Sequence, residues 1–493
     1  MTPSKTLPIA VLGAGPVGLA AAARLVERGL EPLVFERGAQ AGASVAEWGH
    51  VRVFSPWRHN IDEASRALLE AEGWREPDPD ALPTGAEIVR DYLAPLAAHP
   101  AIAPRLKTRA TVLAVTRQDR SKLHSDGREA VPFVVVWRDA EGRTHRSLAR
   151  ALIDASGTCT RPNPIGRDGL AVEGEVENRA RIAYGIPDVK GAARADYAGR
   201  HILVVGAGHS AINVALDLVG LQEDSPRTRI TWATRGGGVG RLLGGGLNDQ
   251  LPGRGQLGLA AVEAVRSGRL SLLSPLAVRR IEARGDGLAV SAERNGAEVA
   301  LEVDRIVVAT GFRPDLDPLR ELRLSLDPSV EATPALAPLI DPNLHSCGTV
   351  RPHGVDELAH PEPGFYIVGV KSYGRAPTFL MATGYEQVRS VVAELAGDSV
   401  AARQVHLVLP ETGVCKVAGP APAAASCCGP AEEGYCAAAR SEVAADVTDA
   451  CCGGPARENA EACCAADEDA KAGGMAGCGC ASTANADASC APA

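Results

Sequence analysis

The chain has 493 residues, of which 45% are apolar and 23% charged, with a formal net charge of −9. That length allows two or three domains and excludes a single small module. The acidic balance, with no run of Lys or Arg, argues against nucleic acid or an anionic membrane as partner, and no apolar stretch reaches the roughly 18 residues that a transmembrane helix needs.

Only Lys5 precedes an apolar segment that runs straight into a glycine motif, so the start does not read as a signal peptide and the chain is expected in the cytoplasm. A short strand from Pro8 leads to Gly13-x-Gly15-x-x-Gly18 and an Ala-rich helix. Gly13 permits the tight turn, Gly15 lets the backbone approach a pyrophosphate, and Gly18 allows close helix–strand packing. The next strand, from Pro32, ends at Glu36, where an acid can accept hydrogen bonds from ribose hydroxyls. A dinucleotide site is expected here.

Residues 102–150, with the alternating run from Phe133 to Trp137, read as a strand meander. It precedes an apolar strand that ends in the turn Ala155-Ser156-Gly157. A second fingerprint follows the strand from His201, with Gly206, Gly208 and Ala211 in the glycine positions and Ser210 at the start of the helix. Its partner strand, from Arg229, ends at Arg235 with no acid at the ribose position. Arginine there pairs with a 2′-phosphate, and Arg241 can join it, so NADPH is expected over NADH. Residues 275–303 repeat the meander, and the strand after Asp304 ends in Ala309-Thr310-Gly311. A last strand from Gly364 leads into a helix predicted over 382–395.

The two fingerprints and the two Ala-x-Gly turns resemble the flavoproteins with two dinucleotide-binding domains, over roughly residues 7–400. The resemblance implies an α/β fold with two Rossmann-like domains: FAD on the first fingerprint, NADPH on the second, and Gly157 and Gly311 at the passages between domains. The expected division is an FAD-binding domain in two parts, 1–165 and 304–410, around an inserted NADPH-binding domain, 166–303. Many relatives place an acid just after the last glycine to hold the ribityl chain; Val370 and Lys371 stand there instead. The segment from Phe54 to Asp62 resembles that of flavin-containing monooxygenases, in which an asparagine lies near the oxygen site. Asn60 matches it by order and spacing and is the candidate catalytic residue, with a turn asparagine capping the helix from Asp62 as the alternative. The monooxygenase signature Phe-x-Gly-x-x-x-His is absent from residues 172–188.

Residues 1–410 hold two cysteines, Cys159 and Cys347. Dithiol exchange beside a flavin needs a second thiol within reach, and their separation does not supply one. Cys159 reads as a packing residue, and His209 as a contact to the nicotinamide cofactor's phosphates.

The remaining eleven of the thirteen cysteines fall in residues 411–493, a segment with 12 acidic and 4 basic residues and no Leu, Ile, Phe or Trp. Such a segment is expected to be disordered unless its thiols are bound. Cys427 with Cys428, Cys451 with Cys452, Cys463 with Cys464, and Cys478 with Cys480 form close pairs suited to thiophilic ions such as As(III), Hg(II), Cu(I) or Zn(II). The combined pattern resembles flavoproteins encoded with arsenic-resistance genes, which favours As(III). The expectation is an FAD-dependent, NADPH-consuming, monooxygenase-like oxidoreductase acting on a small molecule or metalloid, with room for a homodimer. The alternatives are a reductase whose tail cysteines shuttle electrons from the flavin, and a metalloid-binding chaperone.

Overall fold

Each glycine fingerprint begins where a short buried strand ends. The computed structural model describes residues 7–236, 251–344, 350–377 and 379–407. In the first unit, β1 (Ile9–Leu12) is buried at all four positions, as expected of a parallel strand covered on both faces. The helix Pro16–Glu27 returns along the sheet, with Ala20, Ala21, Ala22 and Ala23 fully buried, and these small side chains let it lie close. Next come β2 (Pro32–Phe35), β3 (Leu106–Lys107), the antiparallel meander β4 (Thr111–Arg117), β5 (Phe133–Arg138) and β6 (Thr144–Ala149), and then β7 (Ala151–Asp154).

The second unit contains β8 (Ile182–Tyr184), β9 (His201–Val205), β10 (Arg229–Ala233) and β11 (Ser271–Leu273). A second antiparallel meander, β12 (Ala277–Arg284), β13 (Gly287–Arg294) and β14 (Ala297–Val303), leads to β15 (Arg305–Val308). The chain then returns to the first sheet with β16 (Phe365–Ile367). The two five-stranded sheets run β16-β7-β1-β2-β3 and β11-β10-β9-β15-β8, parallel throughout.

The division expected at residue 303 is corrected by this topology. β15 pairs with β9 and β8, setting Val307 beside Val204, so the inserted unit keeps its strand and ends at the Ala309 turn. The reason is burial: Ile306, Val307 and Val308 are at most 2% exposed and complete the second unit's core. The two connecting segments run side by side: Asn163 N–H donates to Gly311 O at 2.9 Å, and Arg313 N–H to Arg161 O at 2.9 Å. Behind the first sheet, Glu362 accepts from both Arg117 (2.8 Å) and Arg128 (2.9 Å), three charges all but excluded from water. Burial alone would raise the Glu362 carboxyl pKa, but the two guanidiniums and the Arg323 amide hold it below the ordinary range. Among the described residues, no helix is long and apolar enough to cross a membrane.

Candidate dinucleotide sites

The three glycines of the first turn do different things. Gly13 has φ +92°, and a Cβ there would come within 2.7 Å of Ala155 O, so the turn after β1 presses directly on the turn after β7. At Gly18 a Cβ would meet Gly13 O at 2.0 Å. At Gly15 it would meet nothing within 4 Å, so that face of the backbone is open. Gly15 is also the N-cap of the helix Pro16–Glu27 and offers no side-chain cap. First-turn amides without an internal partner, beside an open glycine, suit a phosphate. Two other helix starts in the same unit are capped by side chains: Asp62 accepts from Ser65 N–H at 3.0 Å, and Thr84 with Glu87 forms a capping box.

Glu36 follows β2 and is 9% exposed. Its carboxylate accepts from Ala14 N–H at 2.8 Å and from Gly38 N–H at 2.6 Å. The acid thus braces the glycine turn, and the carboxylate retains acceptor capacity for a ribose hydroxyl.

The floor of this site was not legible in the sequence. Lys371 Nζ lies 2.7 Å from Asp154 Oδ2 and donates to Ser156 Oγ at 3.0 Å, and Ser156 Oγ donates to Asp154 Oδ1 at 2.6 Å. Lysine and aspartate are 3% and 1% exposed. The lysine standing near the family's usual acid position therefore turns inward and ties the end of β7 to the segment after β16. Gly369, with φ +70°, donates its N–H to Gln387 Oε1 at 2.7 Å. Gln387 Nε2 contacts Ser372 Oγ at 2.9 Å and His353 Nε2 at 2.8 Å. Burial lowers the His353 pKa, which keeps the ring a neutral acceptor for that amide. Gln387 lies on the buried helix Met381–Leu395, where Thr383, Glu386, Arg389 and Ser390 are buried as well, so its polarity alone did not single it out.

The second turn repeats the first. A Cβ on Gly206 would meet Ala309 O at 2.2 Å, and one on Gly208 would meet nothing within 4 Å. Gly208 is the N-cap of the helix His209–Asp224 and again supplies no side-chain cap. Ser210 is half-buried at its second position. The turn is braced by Trp232, fully buried, whose Nε1–H donates to Gly206 O at 2.7 Å. Arg235 is exposed just beyond β10, whereas Arg241 lies outside the described residues. The turn residues Gly157 and Gly311 have φ +69° and +87°, values that favour glycine. His209 packs against Phe54 of the first unit, ring centres 5.2 Å apart. The open, uncapped turns at Gly15 and Gly208 fit a dinucleotide at each site.

Asn60 is 1% exposed. Its Nδ2 donates to Ser55 O at 2.7 Å and Pro56 O at 3.1 Å, and its Oδ1 accepts from Ser55 Oγ at 2.9 Å. The amide is thus placed within its own loop, which the Tyr385 hydroxyl joins by donating to Asn60 O at 2.7 Å. Asp62, not Asn60, caps the following helix. Cys159 is a free thiol whose pKa burial raises. Among the described residues, no group of three or more His, Cys, Asp or Glu is arranged to hold a metal. Cys347 and the cysteines from Cys415 onward lie outside the described residues.

Residues 8–162 match the family described as FAD dependent oxidoreductase. Over 206 residues the chain is 29% identical to a ferredoxin–NADP reductase of Thermus thermophilus, covering 41% of this chain and 53% of that one. Over 218 residues it is 28% identical to mouse dimethylaniline monooxygenase [N-oxide-forming] 4, covering 43% and 36%. The chain therefore spans about half or less of the curated relatives it matches. Among solved structures it is similar to a bacillithiol disulfide reductase of Bacillus cereus, with TM-score 0.57 and 20% identity, covering 79% of this chain and 99% of that one. The chain thus has the α/β fold of flavoproteins with two dinucleotide-binding domains, and its residues 8–162 carry the match to FAD dependent oxidoreductases.

Proposed function

We propose that the protein is an FAD-dependent, NADPH-consuming oxidoreductase of monooxygenase type, with a C-terminal segment that captures a thiophilic metalloid, As(III) above others. The observation that carries the core of this reading is the pair of equivalent glycine turns, each uncapped and open at its middle glycine and each pressed on an Ala-x-Gly turn. FAD and NADPH, when bound, supply hydride transfer from nicotinamide to flavin. That transfer asks no acid or base of the protein, so the chain's task is placement. Gly13 and Gly18 hold the first turn closed, Glu36 presents its carboxylate to the ribose, and the Lys371–Asp154 pair fixes the floor. Trp232 holds the second turn, and Arg235 selects the 2′-phosphate.

Oxygen chemistry is favoured over dithiol exchange because Cys159 is the sole cysteine among the described residues, and its raised pKa keeps it a poor nucleophile near neutral pH. The metalloid reading rests on the clustered thiols of 411–493.

The test follows NADPH consumption with oxygen, arsenite or a disulfide as alternative acceptor, in the full chain and in one ending at residue 410. The protein is expected to be yellow, to be reduced by NADPH, to be reoxidised by oxygen and to gain nothing from the disulfide. The shortened chain keeps flavin reduction and loses tight As(III) binding. A colourless protein that takes up no FAD overturns the core reading, and disulfide-driven turnover replaces it with a tail-dependent reductase.

A further inference from the structure

We propose that Arg167 is a second arginine for the 2′-phosphate of NADPH, working beside Arg235 from outside the nucleotide fingerprint; this rests on the NADPH reading of the second turn. Gly206 N–H donates to Ala233 O at 3.1 Å, so the chain leaving β10 lies beside the glycine turn. In this fold the adenosine ribose is read at that strand end. Arg235 is exposed there, and its carbonyl accepts a hydrogen bond from Arg167 Nη2 at 3.0 Å. Two arginines 68 positions apart in sequence therefore meet at one place.

The turn that presents Arg167 is anchored on both sides. Asn163 is tied to Gly311, as described above, and Ile165, 5% exposed, donates its N–H to Glu175 Oε1 at 3.1 Å. Gly166 N–H donates to Leu170 O at 3.1 Å and closes the turn, with Gly169 at φ +83°. The adjacent acid, Asp168, accepts from Leu170 N–H at 3.0 Å and so faces its own turn.

Charge accounting points the same way. Nearby Arg161 is paired with both Asp315 and Asp317. Neither Arg167 nor Arg235 has a carboxylate partner among the described residues. Two exposed cations held at one strand end, with no carboxylate partner among the described residues, form a site for a dianion. Arg167 uses one of its five N–H donors on the carbonyl, which leaves a fork for a phosphate.

The experiment measures binding of adenosine 2′,5′-bisphosphate and of 5′-AMP to the full-length, FAD-loaded protein by calorimetry. The unaltered protein should prefer the bisphosphate. Arg167→Ala should cut that preference by about tenfold or more, the range of a charge-assisted hydrogen bond, with 5′-AMP binding unchanged. Arg167→Lys should retain part of it, and Arg167→Glu should abolish it. Equal weakening of both ligands by Arg167→Ala would mean that the residue only supports the strand end, and no effect would mean that it does not reach the phosphate; either overturns the inference. A preference that falls in Arg235→Ala but persists in Arg167→Ala overturns this inference alone. No preference in the unaltered protein overturns the NADPH reading with it.

Discussion

The two glycine turns are near copies, yet their surroundings differ. At the first, an acid 9% exposed braces the turn, a buried lysine–aspartate pair forms the floor, and Gln387 links Gly369, Ser372 and His353. At the second, the bracing comes from one buried tryptophan, and the strand end opens into exposed arginine. A site whose polar groups are already arranged loses little order when filled. The difference accords with the proposed roles, a resident group at the first turn and an exchanging one at the second.

One added methyl group at each turn should separate the two sites most strongly. Gly13→Ala puts a Cβ at φ +92° and 2.7 Å from Ala155 O, and should abolish FAD retention, read as flavin absorbance after gel filtration. Gly206→Ala faces a contact of 2.2 Å with Ala309 O and should leave the protein yellow while abolishing its reduction by NADPH in stopped flow. Loss of flavin from both variants would show that the turns are not independent.

A smaller effect is expected at the floor. Lys371→Met strands Asp154, 1% exposed, without its partner, and should cost about 3–5 kcal/mol in denaturant unfolding. Adding Asp154→Leu should recover much of that loss, because a buried pair replaced by apolar groups is often neutral. Failure of the double variant to recover would mean that the pair also holds the backbone of the two turns.

The smallest effect follows pH. Burial lowers the His360 pKa from 6.5 to about 4 in the folded chain, where the ring stacks on Phe365 of the first sheet. The unfolded chain therefore binds the proton first, and stability present above pH 6.5 is lost as pH falls toward 4. The loss should be on the order of 2–3 kcal/mol. His360→Phe should flatten that part of the stability curve. An unchanged slope would assign the acid sensitivity to other groups, such as His353.

What was legible in the sequence was local. Glycines at fixed offsets, alternating strands and the acid or arginine at a strand end each announce themselves within some thirty residues, and both turns stand where the motifs put them. The assignment of β15 was not legible, because a four-residue apolar strand fits either sheet and its neighbours are settled by packing against β9. The Lys371–Asp154 pair joins residues 217 positions apart. Asn60 shows the opposite difficulty: its spacing suggested a role toward a ligand, while its amide is engaged by Ser55 and Pro56, five and four residues away.

The paired connectors carry a consequence for how the chain can be cut and rebuilt. Asn163 and Gly311 touch at 2.9 Å, so the second unit leaves and re-enters the first at a single point. Its ends already meet, which is the geometry that lets one domain be inserted within another. Removing the residues between and joining the ends with a short turn should leave the first sheet its own five strands, since β7 and β16 pair with each other and not with the insert. In that sense the second unit is an inserted cassette, and redesign of its host would centre on the few contacts outside the connectors, such as His209 against Phe54.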